Sequence, residues 1–286
     1  ATRHDVRLVV GDRILSVRGR PIEDDTNIYE LFANTVEQRV PLRVVGADGG
    51  ERTATVIPVS SRAQAQLRYE EWVRQRRALV DEWSAGRLGY IHIQAMNMAS
   101  FEEFERGLFA AADGRDGVVI DVRFNGGGST TDYLMAVLMV QRHAYTVPRG
   151  SDPDRRAYPT AERLPLMAWT RPAVTLCNEQ SYSNAEIFSY AFQSLGRGKL
   201  VGRPTFGAVI STGGTMMMNG DWVRLPRRGW YVAGTGVNME NNGAGPDVEV
   251  VQPPEQDRSA TLDDQLRRAV EVLLGEIPTD PRRDAW

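Results

Sequence analysis

The chain has 286 residues, 42% of them hydrophobic and 25% charged, with a formal net charge of −3 and a single cysteine, Cys177. The length favours one large domain with a smaller one attached, and the composition excludes a fibrous repeat or long disorder. The slightly acidic balance offers no field for nucleic acid, one thiol excludes an intramolecular disulfide, and no apolar run reaches the roughly eighteen residues of a membrane span.

Residues 6–60 read as a small β-rich module. VRLVV and GDRILSVRGRPI are followed by a helical stretch, NIYELFANTV, and by two alternating runs joined at GADGG as in a hairpin. From Ser61 to Ser84 the Arg/Glu-rich segment repeats Leu67, Trp72, Leu79 and Trp83 at helical intervals, which predicts an amphipathic linking helix and the domain boundary. The expected organisation is therefore a module at 1–60, a linker at 61–85, a core at 86–253 and a C-terminal helix and tail at 254–286.

Past Gly86 the chain alternates strands and helices. LGYIHIQ is a strand, SFEEFERGLFAAAD a helix opened by a capping box of Ser100 and Glu103, and GVVIDVRF a strand with little polar interruption. STTDYLMAVLMVQ is a helix, AVTLC a strand, and NAEIFSYAFQSLG a helix closed by Gly196. This alternation implies an α/β core with a parallel or mixed sheet covered by helices. Residues 149–170 form a long polar loop, 199–250 carry short strands and Gly-rich turns, and TLDDQLRRAVEVLLGEI is a last helix.

Three stretches can carry chemistry. In DVRFNGGGST, glycines lie between a strand and a helix, where backbone N–H groups can approach an anion or an oxyanion closely. The run lacks the lysine of a phosphate-binding loop and the spacing of a dinucleotide-binding turn, so nucleotide binding is disfavoured; a plain tight turn is the competing reading. In NEQSYSNAE, Ser183 and Glu186 fit a capping box, and Ser183 also stands where a nucleophile on a strand-turn-helix junction would stand; the two roles are compatible. If the two turns face one crevice, the N–H groups of Gly128 and Asn184 can hold a tetrahedral intermediate. Third, Glu240 sits in the small and amide-rich loop GVNMENNGAGPDVEV, as a solvated loop acid or as a carboxylate that orients a base or a substrate amide.

The order GDRILSVRG, GYIHI, DVRFNGGG, NEQSYSNAEIFSYAF, GKLVGRPTFG, GVNMENNGAGPDVEV resembles the tricorn branch of the C-terminal-processing serine peptidases, from about Val6 to Ile277. The resemblance implies a PDZ-like module lacking its first strand and a crotonase-like (ClpP-like) mixed-sheet α/β peptidase core. It implies Ser183 as nucleophile, Gly128 and Asn184 as the oxyanion hole, Glu240 as supporting acid, and Gly127 and Thr146 as substrate-binding positions. It further implies peptide substrates, a cytoplasmic setting and a homo-oligomer, a hexamer in that branch.

One part of the machinery is not visible in the sequence. The processing-protease branch places a lysine base 25 positions after the nucleophile, inside TFGKG, where this chain has TFGAV and Ala208. The only lysine, Lys199, lies in the apolar GKLVG run and reads as structural. Three histidines occur: His4 near the start, His92 in the GYIHI strand and His143 after a helix, and none has motif support as a base. The tricorn branch draws its histidine from a region before the PDZ-like module, so the base is expected upstream of Ala1. No cofactor or metal site is expected, since the histidines are scattered and paired cysteines are absent. Two rival readings are a non-catalytic peptide binder and an acyl-CoA hydratase or hydrolase, the latter disfavoured by SYSNAE and GVNMENNG.

Overall fold

Alternating burial along VPLRVV and ERTATV makes the first sheet, because each strand turns one face inward. The computed structural model describes residues 8–112, 114–141, 149–150 and 168–277, and the chain divides into two units between Glu71 and Trp72. In the first, β1 (Arg13–Val17), β2 (Arg20–Pro21), β3 (Val40–Val45) and β4 (Glu51–Val56) form an antiparallel sheet in the order β2-β1-β3-β4. Val17, Leu31, Val40, Leu42 and Val44 form its core. GADGG closes the β3–β4 hairpin, with the Gly46 N–H donating to the Gly50 carbonyl at 3.1 Å.

Two expectations are corrected in this unit. Residues 9–12 fold as a turn closed by the Asp12 carboxylate on the Val9 N–H at 2.8 Å, so VRLVV is not a strand over its described part. The helix expected at 27–36 is a single turn, α1 (Ile28–Leu31), capped by Asn27.

The second unit begins within α2 (Ser61–Trp83). Its sheet contains β5 (Leu88–His92), β6 (Gly117–Asp121), β7 (Ala173–Cys177), β8 (Leu200–Gly202) and β11 (Val248–Glu249), in the order β11-β8-β7-β6-β5 and parallel throughout. A strand buried on both faces needs no polar alternation, which is why β6 and β7 read as continuous apolar runs. A separate antiparallel ribbon pairs β9 (Ser211–Met216) with β10 (Trp222–Arg228), and an isolated antiparallel bridge joins Tyr231 to Asn238.

Side chains alternate between two cores. Val118, Ile120 and Val122 pack with α3 (Met98–Ala112), α4 (Thr131–Leu138) and α5 (Asn184–Ser194) through Phe104, Leu134 and Phe188. Val119, Val174 and Leu176 pack with Leu79 and Val80 of α2 and with Leu266 and Val270 of α6 (Asp264–Glu276). Because consecutive strands are neighbours and crossovers share one hand, α3, α4 and α5 fall on one face and leave the other to α2 and α6. The start of α3 differs from expectation. Asn97 accepts from the Ser100 N–H at 2.9 Å, so the cap lies three residues before Ser100, which is inside the helix.

A fully buried ionic network ties the second core to the end of β6. The Arg123 guanidinium bonds Asp121 at 2.7 Å and Asp263 at 2.9 Å, and Arg76 bonds Asp263 at 3.2 Å, with all four side chains at 0% exposure. Arg76 also donates to the Ser259 and Gln256 carbonyls at 2.7 and 3.0 Å, and Tyr90 donates to Asp121 at 2.9 Å. Burial alone would raise the Asp121 pKa, but the Arg123 charge and its hydrogen bonds outweigh it and hold the carboxylate ionised. Two cations therefore face two anions with their hydrogen bonds made, the condition under which buried charge is tolerated.

Candidate active site

Parallel neighbours end at the same edge of a sheet, so the turns that follow β6 and β7 must meet. Asp121 at the end of β6 pairs with Leu176 in β7, and the chain then makes two adjoining turns, Val122–Thr130 and Asn178–Ser183. Three hydrogen bonds join them: Tyr182 N–H to the Asn125 carbonyl at 2.9 Å, Phe124 N–H to Asn178 Oδ1 at 3.1 Å, and Ser181 Oγ to the Val122 carbonyl at 2.9 Å. Asn125 is fully buried. Its Nδ2 donates to the Ile93 carbonyl at 2.7 Å and its Oδ1 accepts from the Gly127 N–H at 2.9 Å, which fixes the shape of the glycine turn.

The glycines are required by contact. A Cβ at Gly127 would stand 2.7 Å from Ser183 Cβ, 2.7 Å from the Tyr182 carbonyl oxygen and 3.0 Å from the Asn184 nitrogen. A Cβ at Gly128 would stand 1.9 Å from the Met96 carbonyl oxygen, and the residue has φ +147. Only glycine lets the strand-like bridge Met96–Gly128 form while the next turn lies against it. The N–H groups of Gly128 and Asn184 find no acceptor among the described residues.

Ser183 is half-buried at the first position before α5, with φ 58 and ψ −117, a conformation that side chains rarely adopt. Such strain persists only when the surroundings over-determine it. Here the surroundings centre on Glu186, which is fully buried and receives four donors. Its Oε1 accepts from the N–H groups of Ser183 and Ala208, both at 2.9 Å; its Oε2 accepts from Thr205 Oγ1 at 2.7 Å and from the Gly207 N–H. Of the expected capping box, Glu186 accepting the Ser183 N–H is made, while the Glu186 N–H goes to the Ser183 carbonyl and leaves the hydroxyl uncommitted among the described residues. The acid extends beyond capping and pins the segment 205–208 beside the turn that carries Ser183.

Asn184 has two faces. Its backbone N–H is the one left open, while its side-chain Oδ1 accepts from both the N–H and the hydroxyl of Thr131 at 3.0 Å. Thr131 Oγ1 also donates to the Asn184 carbonyl at 2.9 Å. The first residues of α4 and α5 are thereby stapled together.

Glu240 lies in a loop anchored to the same 205–210 segment. The Asn241 N–H donates to the Gly207 carbonyl at 2.8 Å and the Ala244 N–H to Thr205 Oγ1 at 2.8 Å. Glu240 Oε2 accepts from the N–H groups of Val209 and Ile210 at 2.8 and 3.0 Å. Its other oxygen has no donor among the described residues. No hydrogen bond joins Glu240 to Ser183; they are linked through Glu186 and the 205–210 segment.

Thr146, His143 and His4 lie outside the described residues. Nε2 of His92 pairs with the Arg123 carbonyl at 2.8 Å, its ring meets Trp72 edge-on at 4.9 Å, and burial pushes its pKa down. Lys199 pairs with Glu276 at 3.2 Å, and the Cys177 thiol is buried with its pKa pushed up by desolvation. Among the described residues no group of three His, Cys, Asp or Glu side chains could hold a metal ion, and no helix is long and apolar enough to cross a membrane. Sequence reasoning did not single out Asn125, Thr131 or Thr205. Asn125 precedes the GGG run directly, and a buried amide beside glycines was the available signal.

A strained serine between a strand and a helix, with open N–H groups from two adjoining turns, has the layout of a strand-turn-helix nucleophile site on an α/β fold. Residues 87–250 match peptidase family S41 and residues 2–61 match the tricorn protease PDZ domain. The chain belongs to peptidase family S41, and its similarity is to the tricorn branch of these serine peptidases. It is 31% identical to the tricorn protease of Thermoplasma volcanium, covering 94% of this chain and 25% of that protein. It is 35% identical to tricorn protease homolog 1 of Streptomyces coelicolor, covering 97% and 25% respectively. A crystal structure of the tricorn protease superposes with a TM-score of 0.76 at 30% identity, over 93% of this chain and 25% of that one. The chain thus spans about a quarter of the length of these relatives.

Proposed function

We propose that the chain is the core of a serine endopeptidase that hydrolyses oligopeptides. Ser183 Oγ attacks the scissile carbonyl carbon and its proton passes to a general base. The N–H groups of Gly128 and Asn184 receive the carbonyl oxygen as it turns negative. Collapse expels the amine, which takes the proton, and water then releases the acyl group from Ser183 by the same steps in reverse. Glu240, with one oxygen uncommitted, orients the base or a substrate amide.

The observation that carries this reading is the contact at Gly127, where the only space for a side chain is taken by Ser183 and Asn184. The base is assigned to a histidine upstream of Ala1, because the tricorn resemblance puts it there. The domain organisation set out from the sequence, with 1–60 as a PDZ-like module, belongs to the same reading, as do a peptide substrate and homo-oligomeric assembly. Likeness to tricorn proteases supports these, and light scattering of the purified protein reads the last.

The test compares peptide hydrolysis, and covalent labelling by a fluorophosphonate, in the 286-residue chain and in a version extended upstream. Labelling at Ser183, with hydrolysis gained on extension, is the expected result. No label in either form would leave a peptide-binding protein without chemistry.

A further inference from the structure

The turn that carries Ser183 also carries one ring of an aromatic pair. Tyr182, directly before it, is half-buried, and its ring meets that of Phe206 edge-on at 5.1 Å and 88°. Phe206 is 62% exposed, although the chain on either side of it is firmly held. Its own N–H donates to the Ser181 carbonyl at 3.0 Å, Thr205 before it donates to Glu186 at 2.7 Å and accepts from the Ala244 N–H at 2.8 Å, and Ala208 beyond it donates to Glu186 at 2.9 Å. A rigid frame that keeps a phenyl ring in water forgoes the gain of burying it, and this one does so beside the turn of Ser183. Glu186, in the first turn of α5, is buried and occupied by four donors, so it offers no counter-charge to a basic side chain; the acid of the turn itself, Glu179, is exposed to water.

We propose that Tyr182 and Phe206 form an aromatic subsite that receives an apolar, preferentially aromatic, side chain of the peptide residue whose carbonyl Ser183 attacks. Edge-to-face geometry leaves one face of a ring open to a third aromatic group. This inference rests on the reading of Ser183 as nucleophile, and it names the substrate preference of that same site.

The test uses peptidyl phosphonates that differ only in the side chain next to phosphorus: benzyl, methyl, carboxymethyl or aminobutyl. With the upstream-extended protein, the benzyl reagent should label Ser183 fastest, and Phe206→Ala should lower its rate relative to the methyl reagent by roughly tenfold, the low end for an apolar group in an open pocket. An equal fall for every reagent would mean that Phe206 only supports the turn, and would overturn the subsite, as would fastest reaction with the aminobutyl or carboxymethyl reagent. Binding to the Ser183→Ala variant separates the subsite from the chemistry. Peptides with a central Phe should bind more tightly than those with Asp, and Phe206→Ala should erase the difference. If wild-type protein resists every phosphonate yet this preference holds and depends on Phe206, the nucleophile assignment fails and the subsite stands. Equal binding of the peptides overturns the subsite.

Discussion

At the scale of single residues, what matters is which groups hold the serine. Ser183 alone is a hydroxyl in an unfavourable backbone conformation, and Glu186 makes that conformation tolerable by accepting its N–H while gripping Thr205, Gly207 and Ala208. Glu186→Gln replaces an acceptor by an amide whose NH2 group faces donors. It should cost about 2–4 kcal/mol in denaturant unfolding and slow Ser183 labelling well beyond that of a surface Glu→Gln control. Gly128→Ala is harsher, because its methyl would meet the Met96 carbonyl. Labelling should be abolished, and a labelling rate within twofold of wild type would show that the glycine turn plays no part in the site. His92 supplies a pH prediction. Desolvation holds its folded pKa below the 6.5 of an unfolded histidine, against the opposing pull of Asp121 and of the Arg123 carbonyl. The unfolded chain therefore binds the extra proton first, and stability should fall as pH drops below about 6.5. The melting temperature of His92→Gln should change less between pH 7.5 and 5.5 than that of the wild type, and an unchanged pH slope would remove His92 as its source.

At the scale of elements, the strand-turn-helix pairs were legible and their couplings were not. β6, β7, α4 and α5 follow from apolar runs and helical periodicity, and the Gly-rich and Ser-bearing turns follow from their composition. What the sequence did not reveal is how the turns are joined, since Asn125, Asn184 and Thr131 act through contacts between residues far apart in the chain. Asn125 holds Ile93 and Gly127 with its side chain and Tyr182 with its backbone carbonyl; its place before the glycines hints at the turn, but nothing local marks the distant partners. The caps show the same limit. Ser100 had the right partner at the right spacing, yet Asn97 took the position, because local signals compete and packing selects among them. Asn125→Ala should loosen the glycine turn without touching Ser183, since it removes the side-chain bonds to Gly127 and Ile93. Its labelling rate should drop by roughly tenfold to a hundredfold, the range expected when reacting groups are misplaced slightly, with smaller loss from Asn125→Asp, which keeps the acceptor for Gly127.

At the scale of the whole molecule, the C-terminal helix and the glycine turn share one buried ionic network. Asp263 caps α6 through the Leu266 N–H at 2.9 Å and at the same time pairs with Arg123 and Arg76. Removing one partner strands the others without solvent, so Asp263→Asn should destabilise the protein by about 3–5 kcal/mol, read by chemical denaturation. A loss below about 1 kcal/mol would mean that water reaches the network. The sequence supplied the α/β class and the order of elements; it could not supply this network, whose members are spread from Arg76 to Asp263.

The central claim is that the Ser183 hydroxyl and two amide hydrogens converge on one place. A crystal structure of the protein after reaction with a phosphonate tests it most directly. The expected result is phosphorus bonded to Ser183 Oγ and the phosphoryl oxygen about 2.7–3.1 Å from both the Gly128 and Asn184 nitrogens. Phosphorus on another residue, or a phosphoryl oxygen turned away from Gly128, would contradict it.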